Sequence, residues 1–434
     1  MKRLVVNILS GVSVLFGSFA FGQAKYESDP INYSRAEPTD KVYSFSKKLA
    51  DGTETLEWNE EHGYLNSLLQ KLNVPVESQA LVFSKTSLQV SRITPSKPRA
   101  IYFNDDIYLG WVQGGTVIEI SASDPEIGAT FYTLSQEKSE VPVLQRETSR
   151  CLQCHGSSHT RGRPGHIVRS VFPTDSGMPQ YNLGTNLIDE QSNFEERFGG
   201  WYVSGTHGDL RHRGNAWLPK TEKTGMKRFE RDPSELNIEK GANVEKLSSI
   251  VDTSPYLFDH SDIVAQMVLQ HQVHMHNVLT EAIYTGRQAA YDAKVMNKLF
   301  DREPDHESDS TRRRYDSSAE RVVKALLFCD ELALENPIKG SSDFAKMFEQ
   351  QGPSDAMNRN LREFDLKTRM FKYPCSFLIY SDAFRKLPVG VKTRVMARLD
   401  EVLNGKDESK DFEHLSPSDR KAIKEILAQT LVAT

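Results

Sequence analysis

The sequence predicts an α+β protein with a small antiparallel β domain, a loop-rich middle segment and a mainly α-helical C-terminal domain. Short apolar runs separated by turn residues dominate the N-terminal part, whereas apolar residues at helical spacing dominate the C-terminal part. Between them the chain is rich in Gly, His and Arg and lacks a regular period. These changes divide it into a mixed α/β domain (25–145), the middle segment (146–220), a polar linker (221–255) and the helical domain (256–434).

The first 24 residues have the pattern of a secretory signal peptide. Lys2 and Arg3 precede an uncharged apolar run over 4–21, and Gly22 and Ala24 supply small residues for a cleavage site. Because the run approaches spanning length, an uncleaved anchor stays an alternative. No later stretch of the sequence is apolar enough to span a bilayer. We therefore expect a periplasmic or otherwise exported protein without stable membrane insertion after cleavage.

The N-terminal domain should begin with a polar, irregular arm over 25–53 and one amphipathic helix over 64–72. Apolar and aromatic runs then alternate with turn residues, as in an antiparallel sheet. The predicted strands cover 80–83, 100–103, 107–112, 116–120 and 129–134.

The middle segment begins near a Cys-x-x-Cys-His motif formed by Cys151, Cys154 and His155. On one helical turn both sulfurs face the same side, so that each can add to a haem vinyl group while the adjacent imidazole binds the iron. A zinc site would need a second ligand pair nearby, and only His155 and His159 lie close in sequence. A redox disulfide usually has an aromatic residue before the first Cys, but here Ser149 and Arg150 precede it. The motif therefore favours one covalent haem c with His155 as the proximal ligand.

The sixth iron ligand decides between electron transfer and chemistry at an open iron. The sequence leaves four candidates open, namely Met178, His207, His212 and His271. Arginines of the same region could pair with the haem propionates. They are Arg161, Arg163, Arg169, Arg211 and Arg213.

The C-terminal domain should consist of helices. One begins at Ser261 and carries His271 on its apolar stripe, with His274 and His276 off the stripe. The charged run 301–317 is interpreted as an exposed loop. Further helices are predicted over 322–332, 344–348 and 391–403, and a last one begins at Ser416 with Pro417 in its first position.

Charge and cysteine content restrict the partners. The formal net charge is -5 and becomes more acidic once Lys2 and Arg3 leave with the signal, which argues against nucleic acid as a partner. Four cysteines are too few for a disulfide scaffold, and the sequence leaves open whether Cys329 and Cys375 pair.

Four stretches resemble a family of exported bacterial proteins that carry one haem-c motif and are mostly uncharacterised. They are residues 78–87 (SQALVFSKTS), 99–106 (RAIYFNDD), 199–208 (GGWYVSGTHG) and 373–380 (YPCSFLIY). The resemblance implies a cytochrome c domain protein over nearly the whole mature chain, with haem attachment at Cys151, Cys154 and His155. In the stretch 211–215 the family pattern has Met where this chain has Arg213, which disfavours a Met ligand there and gives weight to His207 and His212.

Three classes of function are compatible with these features. The leading expectation is a monohaem c-type cytochrome that transfers single electrons to a redox partner protein. The size of the chain motivates the rivals, since a bare carrier needs only about one small domain of roughly a hundred residues. A haem-dependent oxidoreductase and a haem sensor therefore stay alternatives. The sequence assigns no catalytic residue and no oligomeric state.

Overall fold

The structure is a computed structural model that describes residues 24–222, 227 and 229–431. Except for Ala24, the predicted signal peptide lies outside the described residues.

An antiparallel meander of six strands forms the N-terminal part. The strands follow one another in chain order across the sheet, and the longest connection, over residues 83–98, joins the first two. They are β1 (Ala80–Val82), β2 (Arg99–Phe103), β3 (Ile107–Val112), β4 (Val117–Asp124), β5 (Gly128–Ser135) and β6 (Leu144–Arg146). The five predicted strands are confirmed, and β6 was missed because only Leu144 of its three residues is apolar and buried.

One face of this sheet packs on two helices, α1 (Lys41–Ala50) and α2 (Leu65–Lys71). The prediction of an irregular arm over 25–53 is wrong in its second half, where α1 lies. Asp40 caps α1 by accepting a hydrogen bond from the Tyr43 amide at 2.8 Å, and Phe45 and Leu49 are buried. The apolar positions of α1 are separated by Lys and Ser, which hid the helical period in the sequence.

The other face of the sheet packs on a 37-residue helix, α4 (Ile263–Leu299). Asp262 caps α4, one residue from the predicted start. Nearly every position in the first half of α4 is buried, including His276, which the stripe had placed outside the apolar face. The reason is that α4 is covered on several sides, so that no solvent-facing stripe remains there.

Around α4 lie the remaining C-terminal helices. They are α5 (Asp309–Leu326), α6 (Phe344–Glu349), α7 (Asp382–Arg385), α8 (Val389–Leu403) and α9 (Pro417–Thr430). The interpretation of 301–317 as a loop is wrong from residue 309 onward. The buried face of α5 includes Thr311, Tyr315 and Ser318, which do not read as an apolar stripe. The helix predicted over 322–332 is the end of α5, which stops at Leu326, whereas the Ser416 cap of α9 is confirmed.

The middle segment has little regular structure, as expected. It contains α3 (Leu152–His155), the pair β7 (Arg169–Val171) with β8 (Thr185–Leu187), and β9 (Gly205–Thr206). The last of these pairs with β10 (Lys339–Gly340) and so joins the middle segment to the C-terminal part. A six-stranded antiparallel sheet followed by a mainly helical C-terminal region makes the fold α+β.

Candidate functional site

The Cys-x-x-Cys-His motif forms one short helix. The His155 amide donates to the Cys151 carbonyl at 2.9 Å, which closes the turn. Leu152 packs into the core, while Cys151 is half-buried and Cys154 is exposed. Both thiols are free. Because Leu152 fixes the inward side of the turn, Cys154 is held at the surface and Cys151 at the edge of the core.

His155 is oriented by the loop that follows. Its Nδ1 lies 2.9 Å from the carbonyl oxygen of Gly165, and the Gly165 amide donates back to the His155 carbonyl at 2.9 Å. A carbonyl oxygen only accepts, so Nδ1 carries the proton and Nε2 keeps its lone pair. Among the described residues Nε2 has no hydrogen-bond partner. The His155 imidazole is therefore neutral and offers the lone pair of Nε2 to a ligand.

The environments of Cys151 and His155 favour the uncharged forms of these two side chains. Burial is the main reason that the pKa of His155 is lowered. Burial and the neighbouring carboxylates Glu147 and Glu119 raise the pKa of Cys151 to about 12. Reactive redox cysteines need a lowered thiol pKa. The environment of Cys151 therefore disfavours the disulfide-exchange alternative.

The half-exposed face of β4 lies beside the motif. Glu119 on this face pairs with Arg99 of β2 at 2.8 Å, and the Nε of Arg99 is buried without a described partner. The charges of Arg99 and Arg169 lower the pKa of His155, and the charge of Glu119 raises it. Phe131 of β5 packs on the His155 ring with the ring centroids 4.8 Å apart. The His155 imidazole thus lies against an aromatic ring and near charges of both signs.

Of the five arginines predicted to pair with haem propionates, only Arg169 lies near enough to His155 to affect its pKa. The charge of Arg169 lowers the pKa of His155, whereas Arg161 and Arg163 lie near Glu281 of α4. Arg211 pairs with Glu239 at 2.8 Å, and the Arg213 guanidinium lies 4.3 Å from the centre of the Phe172 ring. Arg99, which sequence reasoning did not select, also comes near His155, because β2 and β4 flank β3 and Arg99 pairs with Glu119 across it.

Two of the four candidate distal ligands lie next to each other. The His207 and His212 rings are 4.7 Å apart and pack on Phe194. His207 Nε2 accepts from the Asn243 amide at 3.0 Å, and His212 Nδ1 accepts from the Gly214 amide at 3.0 Å. The other nitrogen of each ring is buried and has no partner in the described part of the chain.

The other two candidates have different environments. Met178 is 49% exposed in a turn closed by a 2.9 Å hydrogen bond from the Thr174 amide to its carbonyl. His271 is fully buried, with Nε2 2.8 Å from Ser376 Oγ and Nδ1 3.4 Å from Glu190 Oε1. None of the contacts found for the four candidates in the described residues includes His155, Cys151 or Cys154.

A buried polar network behind the motif was missed at the sequence level. His166 contacts Ser121 and Ser123 of β4 at 3.0 Å through its two nitrogens. Ser123 and Tyr108 both reach His276 Nδ1 of α4, at 2.8 and 2.9 Å. Burial lowers the pKa of His276 to about 4, so the network is held by neutral groups. Only the pairing of β3 with β4 and the docking of α4 bring these residues together.

A second buried group surrounds Glu190. Its Oε1 lies 2.8 Å from His274 Nδ1 and 3.4 Å from His271 Nδ1. Burial alone would raise the pKa of Glu190, but the two imidazoles lower it well below its usual range. Sequence reasoning missed Glu190 because no local motif marks it.

Comparison with known proteins gives no assignment. No protein-family model, no curated protein and no solved structure matches the chain. Within the described residues, no helix is both long and apolar enough for a membrane crossing. In the same part of the chain, no group of three or more His, Cys, Asp or Glu residues could hold a metal ion.

Proposed function

We propose that this chain is an exported monohaem c-type cytochrome that passes single electrons to a redox partner protein. One haem is attached through Cys151 and Cys154, and His155 is the proximal iron ligand. The observation that carries the proposal is the His155 Nδ1 hydrogen bond to the Gly165 carbonyl. It leaves Nε2 as the lone-pair nitrogen beside two free thiols. When bound, haem c supplies an iron centre that gains and loses one electron.

The residues around the motif support this role. The Gly165 carbonyl fixes the tautomer and ring orientation of His155, as carbonyl partners of ligating histidines do elsewhere, and increases the basicity of the ligand. Arg99 and Arg169 supply positive charge beside His155 and so suit the haem propionates. Phe131 and the sheet face exclude water from one side of the imidazole.

Membership of the family of exported monohaem proteins is part of the same proposal. Two of the resembling stretches are hydrogen-bonded to each other, since the Phe83 amide donates to the Gly200 carbonyl at 2.9 Å and the Tyr202 amide donates to the Leu81 carbonyl at 2.8 Å. A third stretch forms β2, which pairs with β1. The resemblance therefore concerns segments that are contiguous in the fold.

The attachment is tested by expression with a haem-c maturation system and haem staining of the denatured protein. Cys151→Ala combined with Cys154→Ala should abolish the stain, whereas His159→Ala, an exposed imidazole four residues beyond the motif, should keep it. A full stain in the double variant would contradict the proposal. Cell fractionation and the mass of the mature N-terminus, expected to begin at Lys25, test export.

A haem-dependent oxidoreductase or sensor is the second candidate function. It is favoured by the hydrogen bond that occupies His271 Nε2 and by the exposure of Met178. The optical spectrum with and without carbon monoxide distinguishes the two. Low-spin iron indifferent to carbon monoxide supports electron transfer, while high-spin iron that binds it supports the second candidate. Single Ala variants of Met178, His207, His212 and His271 then identify a distal ligand by a change of spin state at one position.

A further inference from the structure

A separate cavity of about 230 Å³ lies between the loop after α3 and helices α4 and α5. It is on the α4 side of the motif, where Thr160 donates to the His155 carbonyl at 3.0 Å. Its charged lining consists largely of cations drawn from three segments of the chain. They are Arg161 and Arg163 from the loop, His274 from α4, and Arg321 and Lys324 from α5, with Glu281 among them.

The carboxylate of Glu281 is shared by three guanidinium groups. Arg161 Nη1 lies 2.9 Å from Oε2, while Arg321 Nη2 and Arg163 Nη1 lie 3.5 and 3.9 Å from Oε1. Glu281 is only 16% exposed. One carboxylate cannot neutralise three cations, and the contacts with Arg321 and Arg163 are longer than a hydrogen bond or at its limit. Positive charge is therefore left over in the cavity.

The other charged groups do not remove this excess. Lys324 pairs with Asp411 at 2.6 Å, and Asp330 is the second carboxylate of the lining. Arg163 is mostly buried, and burial lowers its pKa, as expected for a cation with too little compensation. A guanidinium without a close carboxylate presents a fork of donors that fits a tetrahedral or planar oxyanion.

His274 is a fifth cationic side chain at the cavity, and its charge is paired with the Glu190 carboxylate. Its Nδ1 is bound to Glu190 at 2.8 Å, so that Nε2 remains for the cavity, and the side chain is 22% exposed. Burial alone lowers the pKa of His274, but the charge and hydrogen bond of Glu190 outweigh it and raise the pKa to about 9. The imidazole is therefore protonated at neutral pH, and both of its nitrogens are donors.

We propose that this cavity binds a small dianionic oxyanion of the phosphate and sulfate class through Arg163, Arg321 and His274. The site is independent of the haem proposal, since none of these residues belongs to the motif. In the absence of the anion Glu281 contacts the guanidinium groups, and it therefore competes with the anion for them.

The test is calorimetric titration of the purified full-length protein with inorganic phosphate at pH 7 and low ionic strength. Arg163→Gln and His274→Gln should each weaken binding at least about tenfold, because each removes a charge-assisted hydrogen bond. Arg312→Gln is the matched control, since Arg312 lies on α5 but pairs with Asp309 at 2.6 Å and does not line the cavity. Glu281→Gln should act in the opposite direction and tighten binding by freeing the guanidinium groups.

Sulfate should compete with phosphate, whereas chloride at the same ionic strength should not. If phosphate binds and sulfate does not compete with it, the site is still supported, and its ligand is phosphate alone. If Arg163→Gln does not fold, as judged by its circular dichroism, Glu281→Gln and Arg163→Lys carry the test, the lysine retaining the charge and part of the affinity. The proposal is overturned if phosphate shows no saturable binding to the parent chain, or if Arg312→Gln weakens it as much as Arg163→Gln does.

Discussion

At the scale of single residues, the candidate site depends on one backbone oxygen. The Gly165 carbonyl accepts from His155 Nδ1, and the Gly165 amide binds the His155 carbonyl. Gly165 also packs against Asn277, whose side chain binds both the amide and the carbonyl of His166, at 3.0 and 2.9 Å. The orientation of the His155 imidazole is thus coupled to α4 through a loop in which Gly165 has no room for a larger side chain.

Substitution of Gly165 tests this coupling. A Cβ at Gly165 would lie 2.5 Å from Asn277 Oδ1, which cannot move away without losing its bond to His166. We expect Gly165→Ala to lower the free energy of unfolding by about 1–3 kcal/mol, the usual cost of overpacking. Urea denaturation measures it. Gly110→Ala is the control, because its nearest atoms lie at 3.5 Å or more, and an equal loss in both variants would contradict the argument.

The His274–Glu190 pair predicts a pH dependence of stability. The folded-state pKa of His274, about 9, is above the ordinary 6.5, so the stabilisation is fully present below pH 6.5 and is lost as the pH rises through 9. Its size is at most about 3 kcal/mol, at roughly 1.4 kcal/mol per pKa unit. Unfolding free energies of the parent chain and His274→Gln should therefore converge between pH 6.5 and 9. A difference that stays constant over this range would refute the assignment.

At the scale of elements, helix caps connect segments that are distant in sequence. Asp262 Oδ1 accepts from the Val264 and Ala265 amides at the start of α4, at 2.7 and 3.2 Å. Its Oδ2 accepts from the Ser342 amide and hydroxyl, both at 2.8 Å. Gly340 leaves space for this carboxylate, since a Cβ there would lie 2.5 Å from it. One buried side chain therefore caps α4 and anchors the segment before α6.

Removal of this cap should be unusually costly. Asp262→Ala leaves four donors without this acceptor, two in buried backbone of α4 and two in the half-buried Ser342. We expect a loss of about 3 kcal/mol or more in unfolding free energy, compared with about 1 kcal/mol for an ordinary cap. Ser416→Ala removes the exposed cap of α9 and provides that comparison. Equal losses in urea denaturation would show that the contacts to Ser342 contribute nothing.

At the scale of the whole molecule, one apolar core crosses the boundaries suggested by composition. It includes Ile31 near the N-terminus, Phe131 of the sheet, Leu152 of the motif helix and Leu427 of α9. Polar contacts cross the same boundaries. Tyr284 of α4 donates to the Ile127 carbonyl at 2.9 Å, and β9 of the middle segment pairs with β10 of the C-terminal part. Elements that share a core in this way are expected to unfold together.

Cooperative unfolding can be measured with two probes in one chain. All four tryptophans precede α4, at positions 58, 111, 201 and 217, whereas most helical residues belong to α4–α9. Tryptophan fluorescence and far-ultraviolet circular dichroism should therefore give the same midpoint in urea. Two separate midpoints would indicate that the helical region unfolds independently of the sheet.

The local signals in the sequence predicted much of the secondary structure but little of the site beyond the motif. Strands β2–β5 and the cap of α9 were readable because alternation, turn residues and capping chemistry act over a few neighbours. Helix α5 was misread because its buried face uses Tyr315, Thr311 and Ser318, which become inward-facing only when α4 packs on them. The same reason hid the burial of His276.

What the sequence by itself determined is the motif, because Cys151, Cys154 and His155 are related by a single helical turn. Only the tertiary structure decided which atoms form hydrogen bonds with these residues and which charged side chains line the cavity beside α4. The carbonyl that orients His155 comes from ten residues away, and the carboxylate that charges His274 comes from 84 residues away. The spacing of residues along the chain fixes geometry within one turn, whereas contacts over such separations exist only because the sheet, the loop and α4 bury a common core.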